Sequence, residues 1–183
     1  MRQGIWLALI VLCGCVPVVA RFYQPVGSGD IKSISGGCSM APLLQVAQHL
    51  AASVDLEVSA IARTSGSTRA TITVSLRLPG NATVRLTEPT ITLQEGPSAP
   101  AIKLKVDSIH RPRTTVNGQT SKDFAPNELL NGPGGYGISM DLPHDNPAEL
   151  IITLPPLEIN GERIQVTPMR FVLRRRPRVT GFC

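Results

Sequence analysis

Three histidines (His49, His110 and His144) and four cysteines are the side chains best suited to chemistry in this 183-residue sequence. His144 lies in Leu142-Pro143-His144-Asp145-Asn146-Pro147, with Asp145 beside it and Met140 four residues earlier. A zinc or copper site needs several His, Cys or Met donors that converge, and no Cys-x-x-Cys or His-x-His run supplies them. His144 is the single metal-ligand candidate, and a Pro-flanked turn shaped by Asp145 and Asn146 is the plainer reading of the same residues. No Gly-x-Ser-x-Gly elbow or Ser-x-x-Lys pair marks a nucleophilic serine. Cys38 as a nucleophile would need a depressed thiol pKa and a neighbouring base. Asn131 to Gly137 is glycine-rich but lacks the Lys-Ser/Thr of a phosphate loop and runs into a strand pattern. No catalytic residue and no cofactor are assigned, and the chain is read as not an enzyme.

Charge is distributed more tellingly. Between Arg21 and Glu162 there are 11 basic and 13 acidic residues, whereas from Arg163 onward there are six arginines and no acid. The positive excess therefore sits in the last 21 residues, chiefly Arg174, Arg175, Arg176 and Arg178. Such a run suits contact with an anionic partner, either lipid headgroups or an acidic envelope protein. Its alternative is a strand edge kept soluble by charge. With only 4% aromatic residues to stack bases, nucleic acid is not an expected partner.

The N-terminus reads as an export signal. Arg2 precedes the uncharged apolar run Ile5 to Leu12. That run is far shorter than the roughly 20 residues a membrane-spanning helix needs, and Gly14 and Pro17 interrupt its continuation. Two cleavage sites stay open. Leu12-Cys13-Gly14-Cys15 looks like the lipobox of bacterial lipoproteins, and that resemblance implies a signal over residues 1–14 and a lipid, palmitate included, on Cys15. The alternative is ordinary cleavage after Ala20, with Val18 and Ala20 as the small-residue pair.

Either cut leaves a chain of one-domain size. Both remove Cys13, and Cys15 is either lipidated or lost. Cys38 and Cys183 are then an even pair in an exported protein, where an oxidising compartment favours a disulfide. Such a bridge would contribute about 3–5 kcal/mol by closing a long loop. Two free thiols or an intermolecular bridge are the alternatives.

The elements that carry these residues read as strands. Val54, Leu56, Val58 and Ala60 alternate with polar positions, as do Ile72, Val74, Leu76 and Leu78. Ile102, Leu104 and Val106 alternate with Lys103 and Lys105, and Tyr136, Ile138, Met140 and Leu142 with Ser139 and Asp141. A period of two is the pattern of antiparallel strands with one face on a core. Asn160-Gly161 marks a hairpin, and Pro79-Gly80 ends a strand. These signals predict an all-β fold, an Ig-like antiparallel β-sandwich with room for one short helix. Residues 42–53 read either as a helix or, preferably, as a strand turning into the next. Residues 15–37 read as a spacer holding one short strand, with Phe22 and Tyr23 resting on lipid or on the domain. Residues 38–183 read as the sandwich, with a long polar loop from about Ser108 to Gly135 and one short piece near Phe124 to Leu130.

An exported start, Gly36-Gly37-Cys38 ahead of the strong strands, and the closing Leu154-Pro155-Pro156-Leu157-Glu158-Ile159-Asn160-Gly161 before an apolar strand resemble a loose group of uncharacterised β-rich lipoproteins of Gram-negative envelopes. The resemblance implies a cell-envelope location. Val16, rather than Asp, follows Cys15, which by the same resemblance implies the outer membrane facing the periplasm. The reading is a non-enzymatic lipoprotein, tethered to the membrane by its lipid, with a structural or interaction role. A periplasmic small-ligand or metal-binding β-sandwich protein is the alternative.

Overall fold

The structure, a computed structural model, describes residues 16–27, 29–34, 43–63, 69–115 and 118–180. Among them are sixteen strands in three antiparallel sheets. The first holds, in spatial order, β1 (Val16–Val26), β16 (Met169–Thr180), β13 (Glu149–Thr153), β7 (Thr90–Gln94) and β8 (Ala101–Lys105). The second runs β10 (Gly118–Phe124), β9 (Ile109–Thr115), β12 (Gly134–Asp141), β5 (Thr71–Leu78), β4 (Asp55–Ile61), β3 (Leu43–His49) and β2 (Asp30–Ile34). The third is β11 (Leu130–Asn131), β6 (Thr83–Leu86), β14 (Leu157–Ile159) and β15 (Glu162–Ile164).

The strict alternation of β4, β5 and β12 places Leu56, Val58, Ile72, Val74, Leu76, Tyr136 and Ile138 inside. From the first sheet come Tyr23, Ile91, Leu93, Leu150, Ile152 and Phe171; from the third come Val84, Leu86, Leu130, Leu157 and Ile159. All join one core, and each such side chain contributes about 1.5–3 kcal/mol on burial. The expected antiparallel sandwich is therefore the architecture, with its strands divided over three sheets. β14 and β15 form the Asn160-Gly161 hairpin, with φ of 51° and 86° at the two turn residues, as the primed turns of short hairpins require. Asn160 also accepts a 2.8 Å bond from the Thr83 amide, which ties the turn to β6.

Residues 42–53 resolve in favour of the strand. β3 pairs with β4 through a three-residue 3₁₀ turn, Ala51–Ser53, the one helical piece among the described residues. The helix propensity of Ala, Gln and Leu yields here to pairing on both sides of β3.

Two expectations are corrected. Of residues 15–37, read as a spacer with one short strand, Val16–Val26 and Asp30–Ile34 are two strands of the sandwich: β1 pairs along all 11 of its residues with β16, and β2 pairs with β3. The described sandwich thus includes strands ahead of residue 38. β1 accommodates Pro17 and Pro25 because it is an edge strand, where a missing N–H is tolerated. Tyr23 is 1% exposed and donates to the Pro147 carbonyl at 3.0 Å, so it packs on the domain rather than on lipid. Burial, reinforced by the Glu95 carboxylate, pushes its phenol pKa up.

The long loop is the second correction. Residues 109–124 form the β9–β10 hairpin, in register from Ile109↔Phe124 to Thr115↔Gly118. Its strands are polar on both faces, so no alternation announced them. Asn117-Gly118 was the available turn signal. The piece expected near Phe124 to Leu130 is the end of β10, a turn closed by Glu128 N–H on the Ala125 carbonyl, and the start of β11.

Candidate functional site

β16 has two neighbours at its base and one at its tip. β13 pairs with it only over Met169 to Val172, whereas β1 accompanies it from Val26↔Arg170 to Val16↔Thr180. Beyond Leu173, which donates to the Ala148 carbonyl at 2.9 Å, the two strands continue as a two-stranded ribbon.

The base of this ribbon is fixed. Phe171 is fully buried between Leu150 and Pro25 in the register. Arg170 donates to both Glu149 oxygens, at 2.5 and 3.0 Å. That paired bond holds the Glu149 carboxyl below its ordinary pKa and raises that of Arg170.

The arm itself collects the arginines. Arg175 lies directly opposite Arg21, Arg174 opposite Phe22 and Arg176 opposite Ala20. Arg21 and Arg175 therefore share one face of the ribbon, and Arg174 and Arg176 share the other. All four are exposed. Arg174 donates to the Gln24 amide oxygen at 3.3 Å. Among the described residues no ion pair involves any of the four; the paired cations are elsewhere, such as Lys32 with Glu57 and Arg85 with Glu158. Arg178 is placed opposite Val18 by the register. Like charges directly opposite each other destabilise a strand pair, so the Arg21/Arg175 level relies on the β1–β16 pairs on either side of it. An anion between the guanidiniums would relieve it.

Of the other sequence candidates, Cys15, Cys38 and Cys183 lie outside the described residues. The lipid on Cys15 and the Cys38–Cys183 bridge thus remain proposals. His144 Nδ1 stands 2.9 Å from the Glu95 carboxylate oxygen Oε2, and its ring is 68% exposed. Its neighbours tie the same loop down: Asp145 pairs with Arg63, and Asn146 accepts from the Arg63 amide at 2.7 Å. The structure uses this loop as a clasp between β13, β4 and the end of β7. Among the described residues no group of three or more His, Cys, Asp or Glu could hold a metal ion.

A second polar grouping went unnoticed in the sequence. Ser108 Oγ stands 3.4 Å from His110 Nε2, and His110 Nδ1 stands 2.6 Å from Asp123 Oδ1. Ser108 and His110 line a cleft of about 500 Å³ with Lys105, Asp107, Met140 and Asp141. The connectivity is that of a serine nucleophile, its base and the orienting carboxylate. The local cause is simpler: residues two apart in an extended chain share a face, and Asp123 is the cross-strand neighbour of His110. The Ser–His separation exceeds the roughly 2.6–3.2 Å of an activated pair. His110 and Asp123 side chains are 45% and 61% exposed, so water competes for bonds that a buried carboxylate would keep. The grouping behaves as a cross-strand polar ladder. A fluorophosphonate probe is expected to leave Ser108 unmodified under conditions that label a serine hydrolase completely. A stoichiometric Ser108 adduct, lost in His110→Ala, would instead make it a nucleophile.

The arginine run was legible because it is contiguous. Arg21 was missed as its partner, since nothing local shows that it faces Arg175 from 154 positions away. No helix among the described residues is long and apolar enough to cross a membrane. No family model, no curated protein and no solved structure matches the chain.

Proposed function

We propose that this protein is an envelope lipoprotein, acylated on Cys15, that serves a structural or interaction role at a membrane surface through its arginine-bearing ribbon. One observation carries the reading. β1 begins at Val16, the residue after Cys15, and is paired from that first residue onward. A cut before Cys15 leaves the whole ribbon intact. A cut after Ala20 would remove Val16 to Ala20 and leave Arg176 to Thr180 without a partner strand. The proposed acylation site and the tip of the ribbon are therefore the same place, and no flexible spacer separates domain from membrane. The outer membrane is the proposed address.

Labelled palmitate fed to cells making the protein is expected to be incorporated, and Cys15→Ser to abolish incorporation. Label retained by the Cys15→Ser chain, or absent from the native one, would contradict the tether.

A further inference from the structure

Along the ribbon, residue character changes with distance from the domain. At the base, Tyr23 opposite Leu173 packs on the core. Next comes the girdle of guanidiniums, Arg21 and Arg175 on one face, Arg174 and Arg176 on the other. Beyond it β1 turns apolar: Val19 is 64% exposed opposite Pro177, and the register continues as Val18 opposite Arg178 and Pro17 opposite Val179. Residues 16–20 contain no polar side chain. Val19 and Pro177 are both exposed at one level of this end, and apolar surface grouped beside cations favours an interface over water.

The dimensions suggest one. At roughly 3.3 Å per residue, Val19 stands about 7 Å outward of Arg21 along the strand. Interfacial elements bury their apolar part about 5–10 Å into the boundary between headgroups and acyl chains. Guanidiniums one step behind such a tip fall at the level of the phosphates, which they bind as paired donors.

We propose that the β1–β16 ribbon is a lipid-phosphate dock. Its apolar tip enters the headgroup–acyl boundary of an anionic leaflet, and Arg21, Arg174, Arg175 and Arg176 hold lipid phosphates around it. The proposal deepens the tethered-lipoprotein reading, because acylated Cys15 would enter the leaflet at the same tip. It does not need the acyl chain: two weak membrane signals add to one stable anchor, and the second can be measured alone.

The test uses the mature chain from residue 15 carrying Cys15→Ser, so that neither signal nor lipid is present. It is sedimented with phosphatidylcholine vesicles with or without about one third phosphatidylglycerol. Binding is expected to be at least about tenfold tighter to the anionic vesicles and to weaken between about 50 and 500 mM salt. The pair Arg21→Gln/Arg175→Gln should lose about 25-fold, near fivefold per charge at an anionic surface, without melting earlier. A charge-matched control away from the ribbon, Lys103→Gln/Arg163→Gln, should change binding by no more than about twofold. Val19→Asp should also weaken binding, which a purely electrostatic edge would not show. Equal binding to both vesicle types, an unaffected arginine variant, or full displacement by about 10 mM inorganic phosphate would overturn the proposal. Palmitate labelling is read separately, so loss of the tether and loss of the dock are distinguishable.

Discussion

Replacing Phe171 by Ala is expected to cost about 3–5 kcal/mol, the range for deleting a buried aromatic. Phe171 is fully buried one level before the last at which β16 has a partner on each side, with Leu150 on β13 and Pro25 on β1 opposite it. The cavity would open where the ribbon is rooted, and the strand beyond Val172 has only β1 to pair with. Against a total stability of about 5–15 kcal/mol, the loss is a large fraction. Urea unfolding followed by circular dichroism measures it directly. A change below about 1 kcal/mol would mean that Phe171 does not root the ribbon. Phe171→Leu keeps most of the volume and should fold well enough to show whether vesicle binding falls with the rooting.

The second large effect is expected at Tyr136. Its ring is 1% exposed on β12, edge-on to Phe124 of β10 with centroids 5.6 Å apart. Arg111 of β9 stacks over the ring at 5.1 Å. Its hydroxyl donates to the Asn131 carbonyl, in the turn where Gly132 and Gly134 take φ of 82° and 137°. One side chain thus holds the β9–β10 hairpin, the 131–134 turn and the second sheet together. Tyr136→Ala should lose about 3–5 kcal/mol. Tyr136→Phe keeps the ring and forfeits only the buried bond, for about 1–3 kcal/mol. Equal losses in the two variants would show that the hydroxyl, not the ring, organises the corner. Hydrogen exchange should report faster opening of the hairpin in the alanine variant.

What the sequence made legible follows from where each element finds its partners. β4, β5 and β12 each bury one face, so Leu56, Ile72 and Ile138 announced themselves by alternation. The Asn160-Gly161 hairpin was legible because its turn requires φ > 0 locally. β9 and β10 carry His110, Arg111, Lys122 and Asp123 and place polar residues at successive positions, so no period survives in the sequence. β1 was obscured twice. Val16 to Ala20 continues the apolar run of the N-terminus, and the β16 partners of these residues lie more than 150 positions away.

The candidate site divides the same way. Arg174, Arg175 and Arg176 are a local charge run and were visible at once. Their grouping with Arg21, and the apolar tip beyond, exist only through the β1–β16 register. Ser108, His110 and Asp123 were invisible because the hairpin that assembles them was read as a loop. His144 drew attention by residue type, and its contact with Glu95 makes it part of a clasp.

In the proposed arrangement the chain leaves its membrane at Cys15 and enters the ribbon without a spacer. The most direct test is the mass of the N-terminal tryptic peptide of protein recovered from the membrane fraction. The expected peptide is Cys15 to Arg21 carrying diacylglycerol, released as the lipid-modified form of that one peptide. A mature chain starting at Arg21, unmodified and recovered in the soluble fraction, would contradict it and would leave half of β1 missing from the folded protein.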